Sequence, residues 1–153
     1  MAYWLFKSEP DCYGIDHLAA EPKQTTRWDG VRNFQARNLL RDKIVRDDTV
    51  LFYHSRCKAI GIVGAAVVVS DAYPDPLQFD PQSPYYDAKS TQSKPRWYSI
   101  DIKLQRVFNR PILLDTIKQI QALESMALRK QSRLSVQPVT AQEFNTLMQL
   151  IDD

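Results

Sequence analysis

Glycine, cysteine and histidine are all scarce in this 153-residue chain. The four glycines, Gly14, Gly30, Gly61 and Gly64, are scattered. Phosphate loops and dinucleotide folds need clustered glycines so that the backbone can approach phosphate, so ATP or NAD binding of that kind is not expected. The two cysteines, Cys12 and Cys57, are too few for the disulfide framework of a small secreted domain, which fits a reducing, cytoplasmic setting. Met1 to Pro10 acquires Lys7 and Glu9 before any long apolar run develops. It therefore resembles neither a signal peptide nor a membrane span, and no membrane contact is expected.

What is present is ordinary in amount and uneven in placement. Apolar residues make up 44% and charged residues 25%, close to soluble globular averages, so neither disorder nor a coiled coil is indicated. The length fits one domain over residues 1–153, because a domain of about 150 residues buries roughly 70% of its unfolded surface. The net charge of +2 says little. Yet Arg27, Arg32, Arg37, Arg41, Lys43 and Arg46 face only Asp29 and Asp42 in their stretch, and Arg129, Lys130 and Arg133 form a second basic cluster. Ser70 to Ala88 carries Asp71, Asp75, Asp80 and Asp87 without a Lys or Arg. Basic faces attract phosphate backbones through counterion release, although a solvated helix face has the same composition.

Tyr3 to Phe6 reads as a buried strand that ends before Pro10. Asp16 to Ala20 allows one helical turn. Asn33 to Val45 places Phe34, Ala36, Leu39, Leu40 and Ile44 near helical spacing with the arginines mostly outside. Thr49 to His54 and Gly61 to Val69 are β-rich runs, expected to be strands that are mostly buried. The proline-rich stretch from Asp71 to Pro95 predicts a long ordered loop or short edge segments. Trp97 to Leu104 alternates like a half-buried strand. Asp115 to Leu123 predicts a helix with Asp115 as a possible N-cap. Thr140-Ala141-Gln142-Glu143 is a capping box that opens a final helix carrying Phe144, Leu147, Met148 and Ile151. These elements make an α+β domain on a small mixed sheet or barrel.

Catalytic and metal chemistries are poorly served. Cys12 and His17 could join His54 and Cys57 as zinc ligands by spacing, but nothing around the first pair forms a matched knuckle, so no metal is expected. His54 beside Ser55 is the local base–nucleophile pair, and adjacent residues on a strand point to opposite faces. Asp80 and Asp87 read as solvated carboxylates. No cofactor is implied. Around Trp28 the residues are more informative. A loop tryptophan caps a core as readily as it binds a ligand. Here, though, it stands with Asn33 and Arg32, which adds to a π-face an amide for a base edge and a cation for phosphate. Tyr53, His54 and Ser55 could add hydrogen-bonding groups.

At these residues the chain resembles the EVE-domain family. The resemblance rests on Trp4-Leu5-Phe6-Lys7-Ser8-Glu9-Pro10, Trp28-Asp29-Gly30-Val31-Arg32-Asn33 and Phe52-Tyr53-His54-Ser55. It continues through Gly61-Ile62-Val63-Gly64, Tyr73-Pro74-Asp75, Phe79-Asp80-Pro81 and Arg133-Leu134-Ser135-Val136-Gln137-Pro138. These run in order along nearly the whole chain. The resemblance implies a PUA-like mixed β pseudo-barrel with surrounding short helices, related to YTH and ASCH domains, and a binder of a modified base; the residues themselves call for no catalysis and for no more than a monomer. A modified cytosine in DNA is implied ahead of modified RNA. It also implies Trp28 as stacking wall and Asn33 and Ser8 as polar readers, with Tyr53, His54 and Ser55 at the neighbouring strand end. Arg133 and Ser135 would close the other side, and Lys7 and Arg32 would meet phosphate. Glu9, Pro10, Gly30, Phe79 and Leu134 fit structural roles. The weaker alternative is an enzyme on a small nucleotide-like substrate with His54 as base.

Overall fold

The computed structural model describes residues 1–151. Strands β1 (Tyr3–Ser8), β2 (Thr25–Trp28), β3 (Thr49–His54), β4 (Gly61–Val68), β5 (Tyr73–Pro74), β6 (Tyr98–Leu113) and β7 (Val136–Val139) form one mixed sheet. Its order is β2-β6-β4-β3-β1-β7, with β5 also paired to β6. The sheet is an open pseudo-barrel, and the α+β expectation holds. Helices α1 (Pro10–Tyr13), α2 (Ile15–Ala20), α3 (Phe34–Asp42), α4 (Leu114–Ile117), α5 (Ala127–Lys130) and α6 (Ala141–Met148) surround it.

Period-two alternation explains why the central strands are apolar on both sides. Trp4 and Phe6 of β1, with Val50 and Phe52 of β3, enter one core with Ile15, Leu18, Ala36 and Leu40 of α2 and α3. Leu5, Leu51 and Tyr53 enter a second core with Ile117, Leu128 and Leu147 of the C-terminal helices. Each face of the sheet therefore has a helical cover. Gly64 permits the tightest of these approaches, because a Cβ there would run into Ile15 of α2 and the Arg106 carbonyl of β6. The predicted capping box closes as drawn: Glu143 N–H donates to Thr140 Oγ1 (3.1 Å) and Thr140 N–H to Glu143 Oε1 (2.9 Å).

Five expectations change. Trp28, read as a loop tryptophan, ends strand β2 (Thr25–Trp28), which forms because β6 supplies it with a ladder. Strand β6 runs on through an exposed, charged segment to Leu113, bulging against β4. Val136–Val139 is an additional strand, and its Pro138 is tolerated because β7 lies at a sheet edge. The helix expected over Asp115 to Leu123 is one α turn from Leu114 followed by a 3₁₀ turn at Gln121–Leu123, with Leu113 rather than Asp115 at the cap. Ile117 and Leu123 are nevertheless fully buried. Their spacing reported burial correctly and helix continuity incorrectly. Phe34, placed by spacing on the apolar face of α3, is half exposed and stacks on Trp97 at a centroid distance of 4.7 Å.

Candidate nucleic-acid interface

Strands β1 and β3 are parallel and in register from Tyr3↔Thr49 to Ser8↔His54, so both carboxyl ends emerge at the same end of the sheet. Ser55 N–H continues the ladder by donating to the Ser8 carbonyl (3.0 Å), and Lys7 N–H donates to the Ser135 carbonyl just ahead of β7 (2.9 Å). Three strand ends are thereby held together by backbone alone. A cleft of about 950 Å³ opens there, with Lys7, Ser8, Tyr53, Ser55, Arg133 and Ser135 on its walls. Lys7 Nζ lies 5.6 Å from the Tyr53 ring centroid and donates to the Ser132 carbonyl (2.7 Å). Burial lowers the Lys7 ammonium pKa and, with Cys57 nearby, pushes the Tyr53 phenol up to about 12. Tyr53 borders the cleft while only 3% exposed, as a member of the second core.

Trp28 also lines this cleft, but as a core residue. Only 8% of it is exposed, and its ring packs on Phe6 (5.3 Å) and edge-on to Phe52 (5.5 Å). A smaller chamber of about 410 Å³ shares Ser8, Cys12, Trp28, Asp29 and Tyr85 with the cleft and adds Tyr13, Thr26 and Arg27.

The opposite wall comes from the proline-rich loop. Its anchor is Asp75, fully buried, which accepts from Leu77 N–H (2.8 Å), Gly30 N–H (2.8 Å) and Arg32 Nη1 (2.9 Å). Arg32 spends its other donors on the carbonyls of Tyr85 (2.9 and 3.1 Å) and Val31 (3.0 Å), and its guanidinium lies over the Tyr85 and Trp97 rings. Arg32, expected to meet phosphate, borders the cleft with four of its five N–H donors directed inward to hold the loop. Gly30 adopts φ +76, a left-handed conformation, and a Cβ there would sit 3.0 Å from the Tyr85 ring. Buried Gln78 completes the loop by donating to the Asp75 and Trp97 carbonyls (2.7 and 2.8 Å) and accepting from Trp97 N–H (3.0 Å).

Two expected site residues fall outside the cleft. Asn33 Oδ1 accepts from Ala36 N–H (2.9 Å) as the N-cap of α3. It borders an adjoining groove of about 330 Å³ with Gln35 and Lys130, which shares Ser132 and Arg133 with the cleft. His54 points into the first core, where its Nε2 accepts from Ile15 N–H (3.1 Å) while Phe52 packs edge-on against its ring. The His54 pKa is lowered, first by burial. This leaves no free lone pair for a general base. His17 Nδ1 likewise accepts from Gly14 N–H (2.8 Å). Both histidines are therefore fasteners for the start of α2, and no set of three or more metal-ligating side chains occurs among the described residues.

Sequence reasoning missed several residues of the cleft. Tyr85 and Arg56 lie in segments without periodicity, and Leu114 and Leu128 lie on short helices whose placement depends on the sheet. Asp29 is adjacent to Trp28, and that adjacency was a usable signal.

The class is now defined: an α+β open pseudo-barrel with an aromatic-walled, cation-rimmed cleft where its parallel strands end, able to stack a planar group and hydrogen-bond its edge. The chain belongs to the EVE-domain family, whose model matches residues 2–150. It is 43% identical over 165 residues to rat thymocyte nuclear protein 1, covering 97% of this chain and 73% of that protein. The structure of human THYN1 protein in complex with 5-methylcytosine-containing DNA matches with a TM-score of 0.95 and 39% identity, covering 100% of this chain and 99% of that one. A protein from Leishmania major matches with a TM-score of 0.92 and 43% identity over 98% of this chain and 94% of its own. No helix among the described residues is long and apolar enough to cross a membrane.

Proposed function

We propose that the chain acts as a single non-catalytic domain that captures a modified cytosine of DNA in the cleft between its strand ends and its proline-rich loop. The observation that carries this reading is the match, along the whole of this chain, to the structure of human THYN1 protein in complex with 5-methylcytosine-containing DNA. Trp28 and Tyr85 provide the stacking faces, and Ser8, Ser55, Ser135 and the Tyr53 hydroxyl serve the base edge. Lys7 and Arg133 meet phosphate. Extracting a base costs a few kcal/mol, and stacking on an aromatic ring returns about 1–3 kcal/mol per base. The engagement of His54 with Ile15 supports binding without catalysis. The free thiols of Cys12 and Cys57 fit a reducing compartment, cytoplasm or nucleus.

Trp28 is too buried for a clean test, because Trp28→Ala would open the core. Tyr85, 43% exposed, is the better probe. Duplexes with one 5-methylcytosine should bind more tightly than unmodified ones by fluorescence polarisation, and Tyr85→Ala should weaken the modified complex by roughly 5- to 100-fold. Equal affinity for the two duplexes, with no loss in Tyr85→Ala, would overturn the proposal. Matched RNA competitors decide the nucleic acid, since RNA alone offers a 2′-hydroxyl.

A further inference from the structure

The smaller chamber holds one carboxylate against an aromatic floor. Thr26 and Trp28 project from the same face of β2, and the strand ends at Trp28, so Asp29 escapes the alternation and also borders the chamber. Asp29 Oδ2 accepts from Arg27 Nε (2.9 Å), and Oδ1 takes no hydrogen bond from any described residue. Its side chain is 31% exposed, and it lines the chamber together with Trp28. At about 410 Å³ the chamber falls within the roughly 300–1,000 Å³ typical of small-ligand pockets. A free carboxylate oxygen in such a chamber accepts hydrogen bonds and donates none. It therefore favours a base edge that presents an amine and opposes one that presents a carbonyl.

We infer that Asp29 is a specificity-determining residue that reads the exocyclic amine of the captured base, so that the site distinguishes 5-methylcytosine from thymine. The two bases share the 5-methyl group, and van der Waals contact with that methyl cannot separate them. They differ at the edge: cytosine offers its N4 amine, which carboxylates accept, where thymine offers O4. Thymine O4 would face the Asp29 carboxylate oxygen against oxygen, a pairing with no proton to share. This inference rests on the proposed base-capture function and adds to it the part of the base that is read.

The test uses the whole chain and duplexes carrying 5-methylcytosine, cytosine or thymine opposite an abasic site, so that no test base loses a pairing partner on extraction. The wild-type protein should prefer 5-methylcytosine to thymine by roughly tenfold or more, the discrimination of a good base-edge contact. In Asp29→Asn an amide can present either its oxygen or its NH₂, and the 5-methylcytosine-to-thymine ratio should narrow to about threefold or less. Asp29→Ala serves as the second variant, with thermal melting confirming that each is folded. An unchanged ratio in both variants overturns the inference, as does a wild-type protein that prefers 5-methylcytosine to cytosine without separating it from thymine. Failure of base capture itself looks different. If 5-methylcytosine and cytosine bind equally but both exceed thymine through Asp29, the amine-reading stands and the modification reading falls. Absence of binding to all three removes both.

Discussion

The two walls of the cleft are built by different forces. The strand wall, with Lys7, Ser8, Tyr53, Ser55 and Ser135, is positioned by backbone ladders that any side chain permits. The loop wall, with Gly30, Arg32 and Tyr85, is positioned by a few polar side chains that converge on Asp75 and Gln78. The first wall should therefore tolerate substitution and the second should not. A buried polar group that loses its partner costs far more than an exposed one, because water cannot replace what is lost.

The strongest way to break this contrast is at Asp75. Asp75→Ala leaves Arg32 half-buried and unpaired and frees the Gly30 N–H, with an expected loss of about 3 kcal/mol in urea unfolding. A loss below about 1 kcal/mol, the range of an exposed ion pair, would show that the loop is held by other means. Gly30→Ala comes next. It forces a Cβ into a left-handed backbone and against the Tyr85 ring, for about 1–2 kcal/mol, and should also weaken binding by displacing Tyr85. Unchanged stability would mean that the turn relaxes freely.

The smallest effect falls behind the strand wall. His54 has a lowered pKa in the folded chain, so the unfolded chain binds its proton more readily. Its contribution is complete above the unfolded value of about 6.5 and is lost as pH falls from there through the lower folded value. Protonation removes the Nε2 lone pair that accepts from Ile15. Melting temperatures measured from pH 7.5 to 5 should drop by an amount consistent with about 1 kcal/mol, and His54→Asn should flatten that part of the profile. A profile already flat in the wild-type protein would separate His54 from the stability of this wall.

Legibility in the sequence follows the same division. β1, β3, β4 and α6 were visible because apolar alternation or a capping box is local information. β2 was hidden: Thr25-Thr26-Arg27-Trp28 buries one side chain and becomes a strand only because β6 pairs with it. Among the site residues, Lys7, Ser8, Trp28, Tyr53, Ser55, Arg133 and Ser135 do meet at the cleft, with Arg32 at its border. Asn33 and His54 do not join them, because each already has a backbone amide to satisfy. Spacing cannot reveal that a polar side chain is engaged.

By itself, then, the sequence determined the central strands, the capped final helix, the lack of clustered phosphate-loop glycines and, through its ordered motifs, the family. Tertiary structure alone decided that Trp28 is as much core as wall, that Arg32 faces inward, and that Tyr85 and Asp29 border the chamber. The reason is physical. Local patterns encode which surface a residue buries, whereas the partner of a buried polar group is chosen by whatever the distant chain brings within about 3 Å.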